Sequence, residues 1–301
     1  EIKVSEGEEF VDEEPDETSL PPWLLRIGLL HPQQGLKYCG GVNEYMEALY
    51  IFAASIDERA EEIERAYSIE DWDTYTVKIH ALKTMTRSVG ADELSDLARG
   101  LEEAGSQLDT AAIRAGHVVF TSLYKGLKEY LSPLLKEVGE QKQAKERLAQ
   151  EQRKAEEAGT LELWSSAGKP RERGRRMSSI KKKILLVDDD KDYQMLLSRW
   201  LGRRYKVETA DSGAGALRHL KTEHPDLILL DFYMPGMDGP ETLRWIRENS
   251  ESADIPVVFL SGTEDRENVS RAEKLNPQGF LPKTLGKAAL LKGIAGFLDK
   301  R

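Results

Sequence analysis

The sequence predicts two folded modules of different class: an all-α four-helix bundle, then an α/β domain on a doubly wound, five-stranded parallel sheet. Three observations carry this expectation. From Leu20 to about Glu137 apolar residues recur at helical spacing, whereas beyond Lys181 short apolar runs alternate with helical stretches. Between them lies a highly charged segment with almost no apolar face. At 301 residues the chain is long enough for two cores, and its 32% of charged residues is high for one compact globule.

The elements follow in chain order. Residues 1–19 are acidic and poor in apolar side chains, which predicts a disordered leader. The first long helix runs from Asn43 to about Ala66. Ser68, with Asp71 three residues later, has the spacing of a capping box and predicts a second helix to Ser88, closed by Gly90. A third helix begins at Asp92 and ends at Gly105; a fourth runs from about Thr110 to Leu131 and stops before Pro133. Short connections make the four antiparallel neighbours, so the bundle is expected over 20–138.

Residues 139–180 read as a charged linker, helical at first and flexible through GKPRERGRRMSSIKKK. Its basic run has no interleaved aromatic residues, which argues against a nucleic-acid role. From 181 to 301 the runs KILLVDDD, YKVETAD, DLILLDFY, IPVVFLSG and GFLPK are expected as strands, each followed by a helix, in a parallel sheet covered on both faces.

Bulk properties exclude several functions. A net charge of −10 argues against nucleic-acid binding by the whole chain. Cys39 is the single cysteine, so no intrachain disulfide can form, and a reducing cytoplasmic location is expected. No apolar run approaches the roughly 18–20 residues that span a bilayer, and the opening EIKVSEGEEF is no secretory leader. The first residue is not methionine, so the chain is expected to be the C-terminal part of something longer.

The chemistry gathers where parallel sheets place it, at the carboxyl ends of the strands. Strand one ends in Asp188, Asp189 and Asp190, strand three in Asp231, strand four at Ser261 and strand five at Lys283. Carboxylates crowded together need a cation, and oxygen ligands with room for water suit Mg²⁺ (or Mn²⁺). Asp231 could then attack phosphorus, with Ser261 and Lys283 holding the phosphoryl oxygens.

Residues 182–300 resemble a response-regulator receiver domain, of the flavodoxin-like class, through VDD at 187–189, LLDFYMPGMDG at 229–239, LSG at 260–262 and GFLPK at 279–283. The resemblance implies that Asp231 accepts phosphate and that Asp188, Asp189, Asp231 and the backbone carbonyl of Tyr233 hold the metal. It also implies that Ser261 and Phe280 form a switch pair, the hydroxyl moving to the phosphate as the ring turns inward. Lys283 is followed by Thr284 where the family usually has proline, which leaves the shape of that loop open. Tyr233 and Thr263 occupy positions that tune phosphoaspartate lifetime in the family.

A phosphoaspartate needs a donor. In HALKTMTRSVGA, residues 80–91, His80 sits at the margin of a helical stripe formed by Trp72, Ile79, Leu82 and Val89. There one ring nitrogen can face water while neighbours orient the other, and Lys83 and Arg87 share its face. This stretch, continuing DELSDLARGLEEAG, resembles the histidine-containing phosphotransfer (HPt) domain, as does GLKYCGGVNEYMEALYIF at 35–52. The resemblance spans about 20–136 and implies that His80 accepts phosphate, with Lys83 as electrostatic support. Thr84 stands where many members have a small residue, so a tighter docking of the receiver is expected. His31, His117, His219 and His224 are expected to be structural or merely exposed.

The expected function is therefore two-component phosphorelay signalling, with phosphoryl transfer between His80 and Asp231 or the equivalent residues of partners. Those partners would be a sensor histidine kinase and other receiver or HPt proteins. No ATP-binding sequence of the kinase type is visible, so ATP-dependent kinase activity is not expected; phosphotransfer and autophosphatase chemistry are. The chain could be the C-terminal part of a hybrid sensor kinase. Two alternatives stay open: a docking adaptor that transfers nothing, and a receiver that drains phosphate as a sink. A coil over residues 140–180 would span roughly 35 Å, which permits exchange within one chain.

Overall fold

The computed structural model of the protein describes residues 19–141, 181–261 and 272–299, with isolated positions between 143 and 150. The expected leader, most of the linker, Thr263 and most of the segment expected as a helix between strands four and five lie outside the described residues.

The N-terminal module opens with a 3₁₀ turn, Leu24–Arg26, followed by helices α1 Pro32–Cys39, α2 Val42–Ser68, α3 Trp72–Ser88, α4 Asp92–Ser106 and α5 Thr110–Tyr130. Its four long helices are the ones expected. In α2 the buried residues Tyr45, Leu49, Phe52, Ile56, Ala60 and Ile63 follow one another three or four positions apart, the stripe an amphipathic helix lays on a core. The short α1 was missed: Pro32 at its first turn and Gly40 beyond its end are legible signals, but its eight residues are too few to show a clear period.

Two boundaries are corrected. Ser68 ends α2, its hydroxyl donating to the Arg65 carbonyl. The cap of α3 is Asp71, whose carboxylate accepts from the Thr74 amide at 3.1 Å. Pro133 halts helix for only one turn position, and helix resumes over 132–141. Proline in a first turn removes an amide that has no partner there anyway, so it can start helix as readily as stop it.

The second module has strands β1 Lys183–Val187, β2 Lys206–Ala210, β3 Leu227–Asp231, β4 Val257–Ser261 and β5 Gly279–Pro282. Between and after them lie α6 Lys191–Leu201, α7 Gly213–His219, α8 Gly239–Glu248 and α9 Lys287–Leu298. All pairings are parallel, in the order β2-β1-β3-β4-β5. The sheet is apolar on both faces. Leu185, Val187, Ile228, Leu230, Val257 and Phe259 pack on one side with Leu243 and Ile246 of α8. Ile184, Leu186, Leu229, Val258 and Leu260 pack on the other with α6 and α9. This second core is continuous with that of the helical module. Tyr38 of α1 packs against Trp200 of α6, ring centroids 5.7 Å apart, and α2 lies along α6. Among the described residues no helix is long and apolar enough to cross a membrane.

Candidate functional site

Each acidic residue owes its place to the end of a strand. Asp188 and Asp189 follow β1 directly, Asp231 ends β3, Ser261 ends β4 and Lys283 follows β5. One oxygen each from Asp188, Asp189 and Asp231 lie within 4.8 Å of one another. Lys283 Nζ stands 2.8 Å from Asp188 Oδ2 and 2.9 Å from Asp231 Oδ1. It also lies 5.0 Å above the Tyr193 ring.

Burial pushes the Asp188 carboxyl up to about 6, against the pull of Lys283. Asp231 is raised well above the usual carboxylate range by burial first and by the charge of Asp188 next, with Lys283 again opposing. Burial raises Asp189 as well. Three buried or half-buried carboxyls thus face one ammonium, a donor set of hard oxygens whose ionised forms call for further positive charge. That set fits a divalent cation. Asp190 takes no part in it. Its side chain caps α6, accepting from the amides of Asp192 and Tyr193.

Ser261 is buried at the sheet end, and Phe280 is half-buried, stacked on Phe259 with centroids 5.4 Å apart. Thr284 lies in a turn closed by the Leu285 amide donating to the Pro282 carbonyl at 3.0 Å. That loop is seated on the helical module: the Tyr38 hydroxyl donates to the Lys283 carbonyl at 2.6 Å.

His80 projects from the middle of α3. Its Nδ1 lies 2.5 Å from Glu102 Oε1 on α4, and the other oxygen of Glu102 is 2.6 Å from Lys83 Nζ. Burial works to raise Glu102, but the hydrogen bond from His80 and the charge of Lys83 outweigh it and hold the carboxyl below its usual range. An ionised Glu102 therefore selects the tautomer with the proton on Nδ1 and leaves the Nε2 lone pair free. Sequence reasoning gave Glu102 no role. Its signal was spatial: only the antiparallel packing of α3 on α4 brings it back across 22 residues to the imidazole.

The expected orientation of His80 needs one correction. Nε2 does not face water; it is covered, with no hydrogen-bond partner among the described residues. The cover is the second module. His80, Thr76, Val77 and Glu102 share a cleft of about 170 Å³ with Asp188, Asp189, Asp231, Tyr233 and Lys283. The rings of His80 and Tyr233 meet edge to face at 5.5 Å. The expected stripe holds for Ile79, Leu82 and Val89, while Trp72 is only half-buried; Tyr75 and Met85 complete it. Thr84 is buried and Arg87 exposed. Of the other histidines, His117 is buried against Tyr67, while His31 and His219 pair with Glu93 and Glu208.

A parallel sheet ending in a carboxylate cluster and a lysine, facing a histidine on a bundle, is the arrangement of a receiver domain beside an Hpt bundle. Comparison with known families agrees: the chain carries an Hpt domain, matched over residues 47–141, followed by a response regulator receiver domain, matched over 184–295. It is similar to a probable cyclic di-GMP phosphodiesterase of Vibrio cholerae, 40% identical over 28% of this chain and 19% of that protein. It is also similar to the sensor histidine kinase TmoS of Ectopseudomonas mendocina, 33% identical over 40% of this chain and 12% of the kinase. The signal receiver domain of a histidine kinase from Syntrophus aciditrophicus is 29% identical, covering 40% of this chain and 91% of that one, with a TM-score of 0.38. The chain spans only a minor part of both full-length relatives.

Proposed function

We propose that His80 and Asp231 exchange a phosphoryl group within one chain. The module limits would be 20–138 for the Hpt bundle, 139–180 for the join and 181–301 for the receiver. The observation that carries this proposal is the shared cleft, whose lining includes both the His80 ring and the Asp231 carboxylate, with Lys283 beside the latter.

In the forward direction a bond forms from an Asp231 oxygen to phosphorus as the bond from phosphorus to His80 Nε2 breaks. The electron pair of that breaking bond returns to the ring, which becomes neutral imidazole again. Reversal needs the same contacts. Glu102 fixes the ring through Nδ1, so Nε2 needs no reorientation between the two states. Lys83 lies beside the site to offset phosphoryl charge on the histidine, and Lys283 does so on the aspartate. Asp188, Asp189 and Asp231, with the Tyr233 carbonyl, would hold Mg²⁺, which supplies positive charge against the equatorial oxygens when bound. Ser261 would donate to the phosphoryl group on Asp231, and Phe280 would report that state by turning inward.

Outside partners would be a sensor histidine kinase and other receiver or Hpt proteins. The relatives include kinases and response regulators, which supports that class of partner. A cytoplasmic setting is part of the same proposal.

The test is to incubate the chain with Mg²⁺ and isotopically labelled acetyl phosphate, then separate acid-labile from base-labile label. Wild type is expected to carry label on Asp231 first and on His80 later. Asp231→Asn should carry neither, and His80→Gln only the aspartyl label. Label that stays on Asp231 in the wild type would overturn exchange within the chain and favour a phosphate sink.

A further inference from the structure

The two modules meet along α2 and α6, and the charges across that seam are sorted by position. Near its N-terminus α2 presents Glu44 and Glu47, and in its second half Arg59. On the receiver, Asp190 and Asp192 stand at the start of α6, while Arg199 near its end and Arg203 just beyond it carry the positive charge. Arg59 pairs with Asp190 and, at 2.6 Å, with Asp192. Glu47 pairs with Arg199, and Glu44 lies 3.8 Å from Arg203 and 2.7 Å from Lys287 at the start of α9. Every one of these pairs joins one module to the other.

We propose that the charges of α2 are a docking code that admits the chain's own receiver in one orientation. This rests on the proposed exchange between His80 and Asp231 and deepens it by naming which receiver the bundle accepts. Glu44 and Arg59 are separated by 15 positions, roughly 22 Å of helix. Turning the receiver end for end would set Asp190 and Asp192 against Glu44 and Glu47, and like charges so placed cost several kcal/mol. Only the antiparallel arrangement satisfies both ends, and that arrangement carries Asp231 to His80.

Arg59 is the anchor of the code. Its side chain is only 13% exposed, so its charge is poorly screened, and removing its carboxylates would leave it buried and unpaired. Asp190 answers Arg59 with the same carboxylate that caps α6, which ties the docking contact to the loop bearing Asp188 and Asp189. A receiver without acidic residues at both positions would leave Arg59 desolvated, a penalty that rejects it as effectively as a clash.

The test uses the full chain and two readouts, passage of label from Asp231 to His80 and the radius of gyration from small-angle scattering. Arg59→Glu and Glu47→Arg should each slow passage by at least ~10-fold and enlarge the particle. Adding Arg199→Glu to Glu47→Arg should restore both readouts, which separates lost docking from a lost fold. Singly substituted chains that stay compact and pass label at the wild-type rate would overturn the code, as would a double variant no better than Glu47→Arg alone. If wild type never labels His80, the exchange fails, and scattering still decides whether the charges hold the modules together.

Discussion

Glu102 is the residue on which the chemistry proposed for His80 turns, because one carboxylate serves both the imidazole and Lys83. It touches no phosphoryl oxygen in the proposed exchange, so it acts by positioning. Removing it should leave the ring free to rotate and to take either tautomer, and should free Lys83 to swing away. Glu102→Ala is expected to slow label arrival on His80 by ~10–100-fold, the range typical of lost orienting contacts. Glu102→Gln retains an acceptor for Nδ1–H but no charge, and should fall between. The mark of positioning is that the transfer rate drops while the radius of gyration stays that of wild type; an expanded particle would mean that Glu102 is needed for docking instead. Sequence reasoning named His80, Lys83 and every acidic residue at the strand ends, since each follows a local pattern: a helical stripe, or an apolar run that stops in aspartate. Glu102 and Arg59 have no such local mark. Each is one acid or one base on a charged helix face until the partner helix is in place.

Gly90 shows at the level of the element how a turn fixes the distance between His80 and Glu102. It links α3 to α4 at a φ of 76°, in the left-handed region. A Cβ there would lie 2.4 Å from the His31 carbonyl oxygen, while the Gly90 carbonyl accepts from the His31 amide at 2.7 Å. The turn is thus clamped against the start of α1. Gly90→Ala should cost ~1–3 kcal/mol from the backbone conformation alone, and more from the crowding at His31. A fall in the urea midpoint of the bundle would measure the cost, with slower labelling of His80 as α4 shifts; an unchanged midpoint would show that the turn relaxes freely. Gly90 was legible as a helix stop because left-handed turns need glycine. Gly105 was legible only in part. It was expected as the end of α4, yet helix continues to Ser106, and a Cβ at Gly105 would fall 2.0 Å from Thr76 Oγ1. Its purpose is the close approach of α4 to α3, and close approach leaves no trace in a single sequence.

At the scale of the whole molecule the question is whether the Hpt domain and the receiver unfold as one body. Their cores are continuous, with Tyr38 of α1 packed on Trp200 of α6 and its hydroxyl bonded to the Lys283 carbonyl. The Glu47–Arg199 and Glu44–Arg203 pairs add orientation more than stability, since partly exposed pairs contribute little each. An apolar seam differs: separating the modules would expose Tyr38 and Trp200 to water at a cost of ~25 cal/mol for each Å² of apolar surface. Calorimetry of the full chain should therefore show a single transition whose calorimetric and van't Hoff enthalpies agree. Tyr38→Phe removes the hydrogen bond but keeps the ring, so it should lower stability by ~1 kcal/mol and preserve the single transition. Tyr38→Ala removes the ring and should split the transition in two, with label passage slowed in parallel. Two well-separated transitions in the wild type would mean that the modules are joined by the linker alone, and that docking is a transient event along the relay rather than its resting state.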